Sequence, residues 1–321
     1  MGGDPLALLV SALEVSVPTF GWVLLGLLLR YFSLVSISTV NTVSRIAFNY
    51  GLPFMLFAGA AQVDYSSLSS AHYLAAGVLA TLITLVLSWI YSRWRGHPRA
   101  QQGIFVQAAF RSNLAIVGLG LAVAAYGDRG PLLAALPVAL MTALYNVLAV
   151  WVLNTTLGSK VTAFSLLLGI AKNPLIIGIA AGVVVSLVGL SDPVMLEPMG
   201  YWLSAIFLPL MLICVGASMQ LSQLRSAGPI TWEGTAWRLC VGPLIGVLVA
   251  LSMGVRDEQL GVLFLLLSSP VAAASFVMVV AARGDGVLAA NLVVLTTLLS
   301  IVTVTLGFFV LSAFALVGQT S

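Results

Sequence analysis

Residues 110–120 read Phe110-Arg111-Ser112-Asn113-Leu114-Ala115-Ile116-Val117-Gly118-Leu119-Gly120, and residues 268–275 read Ser268-Ser269-Pro270-Val271-Ala272-Ala273-Ala274-Ser275. Both lie inside long apolar segments, and both are poor material for an unbroken helix. Pro270 lacks a backbone donor and clashes with the preceding turn, while Ser and Asn side chains offer the backbone competing hydrogen bonds. Each stretch therefore predicts a broken helix. A break deep in an apolar medium survives only where it is buried in protein or lines a wet cavity.

Composition identifies that medium. Of the 321 residues 60% are hydrophobic and 7% charged, and the mean hydropathy is +1.12, whereas an ordinary soluble domain carries about 25% charged residues. The net charge of +3 arises from 13 Lys and Arg against 10 Asp and Glu. These sit mostly in short gaps between apolar runs, which is loop charge and not a nucleic-acid patch. The beginning of the chain has Asp4 and Glu14 in place of a basic start, and its apolar stretch closing at Arg30 is too long for a signal-peptide core. It reads as a first span. Cys214 and Cys240 have no second Cys or His at ligand spacing, so neither a disulfide framework nor a metal site is expected, and no cofactor.

A bilayer core of roughly 30 Å needs about 20 apolar residues per helix. Ten stretches qualify: 7–29, 43–62, 71–92, 102–126, 131–157, 173–190, 199–222, 234–254, 259–282 and 287–316. Residues 158–172 read as an amphipathic connector on the cytoplasmic side. Lys and Arg are retained inside. With both termini outside, nine basic residues (Arg30, Arg45, Arg93, Arg95, Arg99, Lys160, Lys172, Arg225, Arg283) fall in inner loops and two, Arg129 and Arg256, in outer ones. The expected location is the cell membrane, multi-pass, with the lipid bilayer as the surrounding partner.

The two breaks also correspond to each other. A shift of 156 residues lays Pro18 on Pro174, Gly26 on Gly182, and Leu52-Pro53-Phe54-Met55-Leu56 on Leu208-Pro209-Leu210-Met211-Leu212. A shift of 157 lays Ser112-Asn113 on Ser269-Pro270, and Ala124-Ala125-Tyr126-Gly127-Asp128 on Ala281-Ala282-Arg283-Gly284-Asp285. Chance identity between Leu- and Ala-rich helices accounts for single matches but poorly for several in chain order. The expected fold is all-α: ten transmembrane helices as two inverted five-helix repeats, 1–157 and 173–321, with broken helices four and nine crossing. Five is odd, so the second copy enters from the opposite side, as in many secondary transporters.

Two such breaks facing each other near the midplane present half-helix N-termini with partial positive charge, a seat for a carboxylate. The candidate substrate-binding residues are Asn113, Pro270, Ser112 and Ser269 at the breaks, Tyr145 and Asn146 in span five, and Asn49 in span two. Arg111 joins them, because an ionisable group that deep in a span is costly unless used. The plainer alternatives are a packing kink at Pro270, inter-helical hydrogen bonds for the polar side chains, and snorkelling of Arg111 to the headgroups. Arg238, a few residues from the inner end of its segment, is expected to snorkel. Spans four, five, nine and ten hold no carboxylate between Asp128 and Asp285, which argues against a cation antiporter. No Walker loop, HExxH pair or GxSxG elbow appears, so no enzyme and no catalytic residue is expected.

Arg45 with Gly51-Leu52-Pro53, Arg111-Ser112-Asn113 through Gly118 and Tyr126-Gly127, Leu208-Pro209-Leu210 to Gly216, and Pro270 together resemble the auxin efflux carrier family of plant PIN-like carriers and bacterial relatives proposed to move malonate or malate. The resemblance implies a fold like that of sodium/proton antiporters and bile acid symporters. Spans one, two, six and seven would be a scaffold and the rest a moving transport domain, in a homodimer with an elevator-like cycle. It also implies that Asn113 and Pro270 contact the substrate carboxylate. The plant proteins carry proline where this chain has Ser112, so the first break rests on Ser112, Asn113, Gly118 and Gly120. The expected function is carriage of a small organic anion, a dicarboxylate or an auxin-like aromatic acid. The alternatives are a sodium-coupled symporter of the bile acid type and a membrane sensor or scaffold without transport.

Overall fold

The computed structural model describes residues 5–62, 69–158, 171–219 and 221–318, together with Leu168. Most of the connector expected over 158–172 lies outside the described residues. What is described is helical, and the one β-type pairing among these residues is an isolated antiparallel bridge, Ser112 to Val271.

Twelve helices follow in chain order: α1 (Pro5–Tyr31), α2 (Ile37–Ile46 and Leu52–Ala61 joined by a π turn, Ala47–Gly51), α3 (Ser69–Trp94), α4 (Arg99–Phe110), α5 (Leu114–Tyr126), α6 (Arg129–Leu157), α7 (Pro174–Leu187), α8 (Pro193–Ala217), α9 (Pro229–Ser252), α10 (Asp257–Ser268), α11 (Ala273–Ala281) and α12 (Gly286–Ala313). A short 3₁₀ turn, Leu221–Ser226, precedes α9. Six of the described helices (α1, α3, α6, α8, α9 and α12) are long and apolar enough to cross a membrane. The chain is a multi-pass helical membrane protein.

Local chemistry explains where the helices deform. In α2 the π turn ends two residues before Pro53, and in α9 a second π turn, Trp237–Val241, ends two residues before Pro243. Proline donates no hydrogen bond and crowds the previous turn, and a wider turn relieves both problems. The N–H groups of Leu52 and Gly242 accordingly reach back five residues, to the carbonyls of Ala47 and Trp237. α4 and α5 are separated by Arg111–Asn113, and α10 and α11 by residues 269–272, so both stretches read as breaks are interrupted in the fold.

Small residues bring the backbones together, the usual route where lipid supplies no hydrophobic drive. A Cβ on Gly26 would fall against the Ile213 carbonyl of α8, and one on Gly216 against the Val23 carbonyl of α1. A Cβ on Gly178 or Gly182 of α7 would likewise fall against the Pro53 or Phe57 carbonyl of α2. α1, α2, α7 and α8 thus form one packed group, with α8 also against α2. The second group places α4 against α3 and α6, α9 against α3 and α12, and α10 against α5, α6 and α12.

Candidate functional site

The site is built on the two breaks. Backbone N–H of Asn113 donates to the Pro270 carbonyl (2.8 Å) and that of Ala272 to the Arg111 carbonyl (3.2 Å), so the two extended segments cross as an antiparallel pair. The N–H of Val271 donates to the Thr296 hydroxyl of α12 (3.1 Å). Backbone that no longer belongs to a helix is thereby hydrogen-bonded within the protein, as a non-helical segment at membrane depth requires. Gly118 permits the crossing: its missing Cβ would lie 3.0 Å from the Leu266 side chain and 3.2 Å from the Leu266 Cα of α10.

Four half-helix ends meet here. α4 and α10 arrive with their C-termini, and α5 and α11 depart with their N-termini. Helix C-termini carry partial negative charge on unpaired carbonyls, and N-termini partial positive charge on unpaired N–H groups. The negative ends are met by one side chain. Arg238 of α9 is 1% exposed, donates through Nη1 to the Ala109 carbonyl at 3.0 Å, and donates through Nη2 to the Leu267 carbonyl. Ala109 and Leu267 are the penultimate residues of α4 and α10. The expectation that Arg238 snorkels to the headgroups is corrected. α9 begins at Pro229, several residues before the apolar run, which makes Arg238 an interior residue turned toward the crossing.

The positive ends open on a cavity of about 330 Å³. From α4 to α6 its lining includes Arg111, Ser112, Asn113, Leu114, Ala115, Ile116, Thr142, Tyr145 and Asn146, and from α11 it includes Ala273 and Ala274. Phe48, Asn173 and Leu175 close it from α2 and α7, so the cavity lies between the two packed groups. Ser112 Oγ and Tyr145 Oη share a hydrogen bond of 3.0 Å. Arg111, 6% exposed, donates through Nη2 to Asn146 Oδ1 at 2.8 Å, and its Nε and Nη1 are buried without a partner. No Asp or Glu is among the lining residues. Among the described residues no cluster of three His, Cys, Asp or Glu side chains is placed to hold a metal.

Five of the eight residues singled out from the sequence therefore share this lining: Arg111, Ser112, Asn113, Tyr145 and Asn146. Pro270 contributes its carbonyl to the crossing, and Ser269, fully buried, closes its hydroxyl onto the Leu266 carbonyl. Neither side chain lines the cavity. Asn49 is exposed and away from it. Phe48, its neighbour in the π turn of α2, lines the cavity instead. Sequence reasoning singled out Arg238 but gave it to the headgroups, and it missed Thr296, Thr142 and Asn173. Thr296 sits in a Thr-Thr pair within an apolar helix, and Asn173 caps α7 by accepting from the N–H of Leu175 at 2.9 Å. Both are legible polar signals, although neither indicates a direction.

A helical multi-pass chain with two broken helices crossing beside a carboxylate-free cavity belongs with the membrane transporters. A family described as membrane transport protein matches residues 11–307, and the chain belongs to that family. The match agrees with the resemblance drawn from the motifs. A protein of Methanothermobacter thermautotrophicus described as an uncharacterized transporter is 22% identical over 296 residues, which cover 90% of this chain and 95% of the relative.

Proposed function

We propose that the chain is a secondary transporter of small organic anions, carboxylates in particular, working by alternating access of an elevator type. The observation that carries this reading is the charge balance of the crossing. Arg111 and the N-termini of α5 and α11 all border one cavity that has no carboxylate in its lining. Such a site attracts an anion and repels a cation. A carboxylate suits it, since a planar guanidinium fork matches two carboxylate oxygens.

Two further features support the mechanism. The reciprocal packing of Gly26 on α8 and of Gly182 on α2 fits two inverted copies that each lean on the other's partner helix. With that symmetry the twelve helices read as ten spans, two of them broken. The cavity is bounded by the α1–α2–α7–α8 group on one side and the remaining helices on the other. A rigid displacement of one group past the other would carry a bound anion across. The orientation with both termini outside, a cell-membrane location and a homodimeric assembly complete the proposal.

The test is uptake of labelled mono- and dicarboxylates into proteoliposomes made with purified protein. Wild-type protein is expected to accumulate or exchange at least one carboxylate. Asn113→Ala is expected to fold, because the backbone bond from Asn113 to Pro270 survives, and to lose that uptake. Wild-type rates in a folded Asn113→Ala protein would remove the crossing as the binding site.

A further inference from the structure

In carriers built on broken helices, the C-terminal half-helix ends and unwound carbonyls are where alkali cations are held. Here that place is taken by a side chain. The Ala109 and Leu267 carbonyls, one from each half-helix, both accept from the Arg238 guanidinium. Gly242, one turn on in α9, lies beside this contact: a Cβ there would sit in ordinary van der Waals contact with the Ala109 carbonyl oxygen (3.5 Å) and Arg238 Nη2 (3.7 Å). Arg238 Nε is buried without a partner, and none of the salt bridges among the described residues reaches this guanidinium.

We infer that Arg238 is a resident counter-cation of the crossing, a positioning residue that holds the carbonyl ends of α4 and α10 together as a bound alkali ion would. Its fixed charge offsets the two negative helix ends. The two positive ends and Arg111 then face the anion without a bound metal ion to complete the site. Two consequences follow. Removing the guanidinium opens a carbonyl-lined vacancy that takes a small cation from solution, and the intact protein has no need of sodium. The second consequence rests on the anion reading above, and the first does not.

The first arm needs no substrate. Thermal unfolding of the purified full chain in detergent is followed by tryptophan fluorescence, for wild type, Arg238→Ala and Arg238→Lys, with guanidinium chloride at low millimolar concentration, sodium chloride or choline chloride at equal ionic strength. Arg238→Ala is expected to melt lower than wild type and to be raised by guanidinium, and more weakly by sodium over choline. A ligand that binds the folded state raises its apparent stability. Wild type and Arg238→Lys, whose carbonyl site is filled, are expected not to respond. Arg238→Gln, which keeps part of the stem, takes the place of Arg238→Ala in the same titration should the alanine variant not fold. Guanidinium that leaves the neutral variant unmoved, or that shifts wild type equally, overturns the inference.

The second arm is wild-type carboxylate uptake in sodium against choline. Equal rates support a resident cation, and strict dependence on sodium overturns it while leaving the anion reading intact. A wild-type protein that carries no carboxylate fails the anion reading alone, and the melting arm still decides the role of Arg238.

Discussion

Replacing Arg111 by glutamine separates a binding role from a structural one, because the two predict opposite pairs of results. In the free protein the guanidinium makes one bond, to Asn146 at 2.8 Å, and leaves two donors buried and unpaired. Losing the bond to Asn146 costs about 1.5–3 kcal/mol, as for hydrogen bonds to charged groups. Losing a cation from within the apolar span returns a similar amount, roughly 2.5–3.5 kcal/mol on insertion scales. These nearly cancel, so the melting temperature of Arg111→Gln without ligand is expected to move little. With ligand the balance differs, because the variant lacks at least one charge-assisted bond to the anion. That loss is again about 1.5–3 kcal/mol, or about 10- to 150-fold in dissociation constant at ~1.4 kcal/mol per decade. The assay is a thermal-shift titration with a panel of carboxylates, followed by isothermal titration of the best. A folded Arg111→Gln protein that binds the same carboxylate with wild-type affinity refutes the assignment. Unchanged binding with a large drop in ligand-free stability makes Arg111 a structural cation instead.

Four other outcomes are expected. Tyr145→Phe removes the hydrogen bond to Ser112 and should lower stability by about 1 kcal/mol, measurable as a reduced melting temperature, with a fall in carboxylate affinity where the ring hydroxyl also faces the anion. Gly216→Val forces a side chain into the Val23 carbonyl of α1 and should cost ~1–3 kcal/mol or more through overpacking, seen as poor recovery of monodisperse protein. Gly21→Ala, where a Cβ meets nothing within 4 Å, should be recovered normally. In a background without native cysteines, Leu190→Cys should react with a membrane-impermeant thiol reagent on intact cells and Arg93→Cys only after permeabilisation; the reverse pattern inverts the proposed orientation.

Much of this architecture is legible in the chain because membranes leave few choices. Segments of about 20 apolar residues must be helical to satisfy their own backbone, and six of the described helices are long and apolar enough to span a bilayer. The breaks were legible because Pro270, Ser112 and Asn113 act locally on the backbone. The failures share one cause. Asn49 and Phe48 are neighbours in sequence, and the packing of α2 against the other helices decides which of them lines the cavity. Arg238 is a few residues from the end of its apolar run, yet α9 starts earlier at Pro229, and that added length makes it interior.

By itself the sequence determined the class of environment, the helical character of the apolar segments, and the two places where a helix gives way. Those properties depend on composition and on residues a turn or less apart. Only the tertiary structure decided that Asn113 hands its N–H to Pro270 at 2.8 Å, that Arg238 ties Ala109 to Leu267, and that Arg111 keeps two donors unpaired. Each of these depends on which helix ends are brought together across 29 to more than 150 residues of chain. That choice is made by the packing of whole helices through Gly26, Gly118, Gly182 and Gly216.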